Sequence, residues 1–191
     1  GCYFFGMSIF GWIKREEQVS NIKPQKKFAL VVAAHNEELV ISHIIDSLFK
    51  QNYPRHLYDV FVIADNCTDN TSKIAEAHGA MVHIRENNAK RGKGYALEWM
   101  FDRIFRMDTH YDAIAVFDAD NLVSPNFLTE MNNQLCRGHK VVQGYIDSKN
   151  PFDSWITCSY SIAFWISNRI FQLPRYNLNL SCSLCGTGFC I

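Results

Sequence analysis

The sequence has no surplus charge of either sign: 19 Lys and Arg stand against 19 Asp and Glu. That balance excludes a nucleic-acid binder working through a broad basic surface. It leaves room for a local basic pocket that holds one small anion. Seven cysteines are an odd number, and they are spread without the tight spacing of a secreted disulfide framework. Free thiols in a reducing compartment are the expectation. No internal repeat and no low-complexity tract is present. The phosphate-loop pattern Gly-x-x-x-x-Gly-Lys-Ser/Thr is missing, and no Gly-x-Gly-x-x-Gly follows the first apolar strand. The first absence rules out a P-loop, and the second argues against a dinucleotide site.

What is present is a globular composition. Apolar residues make up 48% and aromatics 14% of 191 residues, which excludes disorder and predicts one domain, or one domain with part of another. The chain starts at Gly1 and stops at Ile191 in what reads as a turn entering a strand, so both ends read as cuts. Residues 1–13 are apolar and aromatic, with Lys14-Arg15-Glu16-Glu17 behind them. They are too few for a span of about 20 residues. They read as the remnant of a transmembrane helix whose charged flank faces the cytosol; a signal-peptide remnant and an amphipathic surface helix are the alternatives. Residues 14–27 read as a polar linker, and residues 28–191 as the globular domain.

From Phe28 onward, apolar strands alternate with helices. Strands are predicted over 28–34, 58–64, 80–84, 113–117 and 140–145, and helices over 37–51, 69–78, 94–107 and 125–136. Strands apolar on both faces with helices between them predict an α/β fold with a mostly parallel sheet. Residues 155–173 are rich in Trp, Ile and Phe. They read either as a core helix or as a helix lying against a membrane or a missing partner segment.

Ligands of open α/β sheets bind beyond the carboxyl ends of the strands. Four such loops carry nearly all the unusual polar residues: His35-Asn36-Glu37-Glu38, Asp65 to Thr71, Arg85 to Gly94, and Asp118-Ala119-Asp120-Asn121. Two carboxylates at i and i+2 on a strand end project to one side and suit a hard divalent ion such as Mg²⁺ or Mn²⁺. The plainer reading is a pair of turn aspartates. Lys90-Arg91-Gly92-Lys93-Gly94 combines cations with close backbone approach and runs into a helix N-terminus, a fitting seat for phosphate. The plainer reading is a solvated charge run. Asp65 is placed to accept from a nucleobase or ribose, or else forms a turn with Asn66. Glu37 sits either at a ligand or in a first helical turn for dipole reasons. Thr68 or Asp69 caps the next helix, and His35 reads as an ordinary loop histidine. Cys182-x-x-Cys185 is half a zinc pattern with no second pair at matching spacing, so small buried residues beside a turn are the expectation. Together these loops suggest a nucleoside-diphosphate site with a divalent metal.

The residues then resemble a known family. Val-Val-Ala-Ala-His-Asn-Glu-Glu, Ile-Ala-Asp-Asn-Cys-Thr-Asp-Asn-Thr, the Lys90–Gly94 segment and Asp118-Ala119-Asp120 are similar, in order, to four motifs of the family 2 glycosyltransferases. The resemblance covers residues 28–191 and is to the membrane-associated polysaccharide synthases among them. It implies a GT-A (Rossmann-like) fold, a mostly parallel central sheet flanked by helices, incomplete at its C-terminus. It implies inverting, metal-dependent transfer of a sugar from a nucleotide-diphospho-sugar, commonly a UDP-sugar, to a glycan or lipid-linked acceptor. By that resemblance Ala33, Ala34, Asn36, Glu37, Asp65, Arg91, Lys93 and Asp118 bind the donor nucleotide. Asp118 and Asp120 hold Mg²⁺ or Mn²⁺, and Gly186, Thr187 and Gly188 lie near the acceptor and donor sugar. The family's catalytic base lies in an acidic motif expected beyond Ile191, so this segment is expected to bind donor without turnover. Position 66 is Asn where the family commonly has a second Asp. The implied setting is a membrane, reached through flanking segments, with the catalytic domain cytoplasmic and no nucleic-acid partner. The competing readings are a sugar nucleotidyltransferase, whose glycine-rich first loop is missing here, and a non-catalytic nucleotide-sugar-binding fragment.

Overall fold

The computed structural model describes residues 2–13 and 22–191, and the first part of the expected linker, residues 14–21, lies outside them. The chain divides into two compact units, one formed by Asn21–Val142 and Gly186–Ile191, the other by Gly1–Ser20 and Gln143–Cys185.

The larger unit is built on four parallel strands: β1 (Phe28–Ala34), β2 (Tyr58–Asp65), β3 (Met81–Arg85) and β4 (Ala113–Asp118). After the N-terminal helix α1 (Cys2–Ile9), helices α2 (Ile41–Phe49), α3 (Thr71–Ala77) and α4 (Lys93–Ile104) make the crossovers, and α5 (Phe127–Cys136) follows β4. Alternation along β1 decides which side chain meets which helix. Phe28, Leu30, Val32 and Ala34 face a core with Ile41, Ile44, Ile45 and Leu48 of α2, Ala75 of α3, and Leu128 and Met131 of α5. Ala29 and Val31 face the other core, with Ala96, Met100 and Ile104 of α4. A strand covered on both faces must be apolar at every position, as Phe28–Ala34 is.

The sheet order is β3-β2-β1-β4-β6-β5, where β5 is Val142–Gln143 and β6 is Phe189–Cys190. The order reverses between β1 and β4, which opens a crevice at the strands' carboxyl ends. Strand β6 runs antiparallel to β4, pairing Val116 with Phe189 and Ala115 with Cys190. The strand expected over 140–145 shrinks to Val142–Gln143. Its neighbour β6 is itself only two residues long, and Val141 is exposed.

Residues 22–27, the end of the expected linker, are tied to the larger unit by side chains, Asn132 foremost, with the Lys27 amide also donating to Asp112 Oδ2 at 2.8 Å. Asn132 of α5 is fully buried; its Oδ1 accepts from the Gln25 and Lys26 amides, both at 3.2 Å, and its Nδ2 donates to the Lys23 carbonyl at 3.3 Å.

The smaller unit contains α1 (Cys2–Ile9), a 3₁₀ turn (Phe10–Trp12), α6 (Trp155–Ile166), a π-helical stretch (Ser167–Gln172) and α7 (Leu173–Asn177). Ser154 caps α6 in a reciprocal box with Thr157. Asn177 Nδ2 donates to the carbonyls of Phe10 and Ile13 at 2.7 and 3.1 Å. A side chain at Gly11 would run into the Arg169 carbonyl, so the close approach there requires glycine. Helix α6 buries none of its residues, and Trp155 is 79% exposed. The core-helix reading of 155–173 is therefore corrected for α6, whose residues are all exposed or half-buried. Among the described residues, no helix is long and apolar enough to cross a membrane.

Candidate functional site

The loops after β1 and β2 are stitched together by side chains of both. Asn36 and Asn66 adopt left-handed backbone, with φ of 56° and 50°. Asparagine tolerates this because its amide bonds locally. Asn36 Oδ1 accepts from the Thr68 amide at 2.8 Å, and the Glu37 amide donates to Thr71 Oγ1 at 2.8 Å. Glu38 Oε2 accepts from the Asn70 amide at 3.0 Å, and Asp69 Oδ2 accepts from the Glu38 amide at 3.1 Å. Asp69 Oδ1 also accepts from the Thr71 amide at 3.0 Å, so Asp69 serves the start of α3. Burial pushes the Asp69 carboxyl up, but hydrogen bonds from Thr71 and Glu38 outweigh it and hold the group below the usual carboxylate range. Helix α2 accordingly begins at Ile41 rather than at Glu37, because Glu37 and Glu38 are committed to this seam.

Asp65 ends β2 and is 7% exposed. Register places it beside Arg85, the last residue of β3, itself 4% exposed. Arg85 Nη1 lies 2.5 Å from Asp65 Oδ1, and Arg85 Nη2 donates to the Lys90 carbonyl at 2.7 Å. Asn66 Nδ2 donates to the same Asp65 oxygen at 3.0 Å. His35 Nδ1 lies 2.7 Å from the Asp65 carbonyl, which can only accept, so that nitrogen carries the proton. Burial pushes the Cys67 thiol up, which keeps it protonated beside Ala34 and Asn36.

Lys93 opens α4 after Gly92, whose φ of 111° demands glycine. Its Nζ lies 2.5 Å from Asp118 Oδ1 and 2.6 Å from the Gly186 carbonyl. Thr187 Oγ1 accepts from the Asp118 amide at 3.0 Å and donates to Asn121 Oδ1. Asn121 Nδ2 donates to Asp120 Oδ1 at 3.1 Å. Strand pairing of Phe189 with Val116 is what carries Gly186-Thr187-Gly188 to the end of β4.

The structure thus brings Asp65, Lys93, Asp118, Asp120 and Gly186–Gly188 to one edge of the sheet, with Ala33 level with Asp118. Ala34 is buried, so its backbone alone is offered there. Arg91, expected to bind the donor nucleotide, is exposed and donates to Asn88 Oδ1 at 2.5 Å. Arg85 is the cation at Asp65. It ends an otherwise uncharged strand, and only the β2–β3 register identifies its partner. Cys182 and Cys185 are exposed, which corrects their reading as small buried residues.

Asp118 and Asp120 flank the buried Ala119 and both reach solvent. Among the described residues no third metal-ligating side chain joins them. Two solvent-reaching carboxylates fit Mg²⁺ or Mn²⁺, ions that complete their octahedron with water and phosphate oxygens. They do not fit a zinc site closed by protein ligands. A separate open cavity of about 580 Å³ lies away from this edge, lined by Asp59, Met81 and Tyr111 among others, at the opposite ends of β2 and β3.

Comparison with known proteins bears on this edge. The family model "Glycosyltransferase like family 2" matches residues 24–191. The chain is 34% identical over 105 residues to the beta-monoglucosyldiacylglycerol synthase of Nostoc sp., covering 52% of this chain and 21% of that protein. It shares the fold of the Pyrobaculum calidifontis mannosyltransferase PcManGT, solved with GDP-Man and Mn²⁺, at a TM-score of 0.61 and 18% identity, over 82% of this chain and 45% of that one. It shares the fold of the Mycobacterium tuberculosis glucosyl-3-phosphoglycerate synthase, solved with UDP, at a TM-score of 0.56 and 24% identity, over 86% of this chain and 56% of that one. These are GT-A neighbours, so the expected α/β architecture with a mostly parallel sheet is the observed one. Several of the curated relatives that the chain matches are four to five times longer than the aligned part, which covers 21–24% of their length.

Proposed function

This chain belongs to the glycosyltransferase-like family 2, and from that membership we propose that it supplies the donor-binding part of an enzyme that transfers a sugar from a nucleotide-diphospho-sugar. The observation that carries the reading is the convergence, at one edge of the sheet, of Asp65 and Asp118 at the carboxyl ends of β2 and β4, the two parallel neighbours of β1, with Lys93 at the start of α4 bound to Asp118. In this reading the Asp65 carboxylate accepts from the base or ribose of the donor. The Lys93 ammonium and the first amides of α4 meet the diphosphate. Gly186-Thr187-Gly188 lies beside the transferred sugar and its acceptor, a glycan or a lipid-linked acceptor. Asp118 and Asp120 would hold Mg²⁺ or Mn²⁺, which supplies charge neutralisation to the leaving diphosphate when bound. Transfer inverts the anomeric carbon, and the donor is a UDP-sugar.

The membrane part of the proposal rests on the smaller unit. Its aromatic side chains, Trp12, Trp155, Tyr160 and Trp165 among them, are exposed. Trp and Tyr favour the membrane–water interface, where an apolar body and a polar tip are both satisfied. We place the enzyme at a membrane with this domain on the cytoplasmic side.

The test is nucleotide release from sugar donors, with and without Mn²⁺, by the whole enzyme to which this donor-binding part belongs. UDP release from a UDP-sugar that depends on acceptor and metal supports the reading. Because PcManGT was solved with GDP-Man, a GDP-sugar arm decides the base. Release of pyrophosphate instead of nucleoside diphosphate would replace sugar transfer with nucleotidyl transfer. Flotation with anionic vesicles tests the membrane part separately.

A further inference from the structure

We infer that Arg85 is a positioning residue for nucleotide recognition, fixing the Asp65 carboxylate and the phosphate-side loop in one arrangement. The inference rests on the donor-site reading above. Arg85 is 4% exposed and sits at the end of β3, inside the wall of the site. Its guanidinium offers donors in a rigid plane. One edge reaches Asp65 Oδ1 at 2.5 Å and another reaches the Lys90 carbonyl at 2.7 Å. Lys90 opens the turn into α4, whose first residue is Lys93. Two further bonds brace the same frame: the Asn66 amide donates to the Arg85 carbonyl at 2.7 Å, and the Asn87 amide donates to Asn66 Oδ1 at 2.8 Å. Asp65 Oδ1 takes both Arg85 and Asn66. Among the described residues no hydrogen bond reaches Oδ2, so that oxygen is left for a donor N–H or O–H.

A buried ion pair costs desolvation, which good geometry and added hydrogen bonds offset. Arg85 supplies both, and in doing so ties the base-side carboxylate to the phosphate-side loop. An ammonium at position 85 is a point charge and cannot span the two partners. Arg85 acts through Asp65 and Lys90 and does not touch the nucleotide.

The experiment is a double-mutant cycle on UDP affinity by calorimetry, using the purified protein, with thermal unfolding followed in parallel. Arg85→Gln is expected to weaken UDP binding roughly tenfold, and Arg85→Lys to restore part of it. In an Asp65→Asn background, Arg85→Gln is expected to cost about threefold or less, since only the Lys90 contact remains to lose. The same tenfold loss in both backgrounds would mean direct contact with the nucleotide and overturns the inference. Unchanged affinity in folded Arg85→Gln overturns it too. If Arg85→Gln unfolds because it strands the Asp65 charge, the double variant, which removes that charge, is compared with Asp65→Asn: a large further loss counts against the inference, a small one for it. If Asp65→Asn alone leaves UDP affinity intact, the donor-site reading itself falls, and the inference with it.

Discussion

The Lys93 ammonium sits 2.5 Å from Asp118 Oδ1, on a carboxylate proposed above to hold the metal, and holds the Gly186 carbonyl at 2.6 Å with another of its protons. The two side chains are about one-third and two-fifths exposed, at 33% and 42%. Solvent therefore screens the pair, and its contribution to stability is small.

Its consequence for binding is larger. A fixed cation on Asp118 competes with an incoming divalent ion for the same oxygen, yet supplies positive charge to a diphosphate. Lys93→Gln should therefore move two affinities in opposite directions. Mn²⁺ alone should bind more tightly, and UDP without metal should bind about tenfold more weakly. Manganese titration by electron paramagnetic resonance and calorimetry of UDP read the two separately. If both affinities weaken together, Lys93 holds the Gly186 loop rather than competing with the ion.

Asp120 is the position at which the proposed metal binding can be tested apart from folding. It is exposed, beyond the end of β4, and follows the buried Ala119. Asp120→Ala is expected to remove the metal dependence of UDP binding while shifting stability by no more than about 0.5 kcal/mol. Calorimetry with and without Mn²⁺, beside a denaturant melt, checks both. UDP binding that keeps its full response to Mn²⁺ would take the ion away from this strand end.

The sheet was legible because each central strand is a short apolar run that helices cover on both faces, and Phe28–Ala34 can satisfy no other setting. The site loops were legible for a related reason: carboxylates and lysines at the ends of such runs have no place in the core. Arg85 was hidden because its partner is fixed by the β2–β3 register, which no local pattern encodes. The start of α2 was misplaced because Glu37 and Glu38 look like a helical first turn, while their amides bond to Thr71 and Asp69 some thirty residues away. Residues 155–173 carry the hydrophobicity of an interior, but hydrophobicity does not say what covers a surface.

Asn132 offers the clearest stability prediction. Its amide bridges α5 to the segment before β1, and Tyr53 adds a hydroxyl 3.1 Å from the same Oδ1. Asn132→Leu keeps the volume and leaves the amides of Gln25 and Lys26 without their acceptor. Both hydrogen bonds are part-buried, so water compensates in part and each lost acceptor costs toward the low end of the range of about 1–3 kcal/mol for a fully buried group. The variant should lose roughly 1–2 kcal/mol on that basis and become cleavable within residues 22–27. Urea denaturation and limited proteolysis provide the check. A loss below the error of the melt would mean that water replaces the amide there.

The docking of β6 on β4 can be read through cysteine chemistry. Cys190 is fully buried in the core opposite Ala115, and burial pushes its thiol up to about 12. Cys158 and Cys185 are exposed. The thiolate is the reactive form, so iodoacetamide at mildly alkaline pH should label Cys158 and Cys185 in the native protein and Cys190 only after unfolding. A raised folded value also sets the sign of a pH effect. The stability contributed by the neutral buried thiol is complete below its unfolded value and is lost as pH rises toward about 12. Peptide mass mapping of the labelled protein, with melts at rising pH, measures both. Native labelling of Cys190 at the rate of Cys185 would show that β6 leaves the sheet, and with it the Thr187 hydroxyl that holds the Asp118 amide.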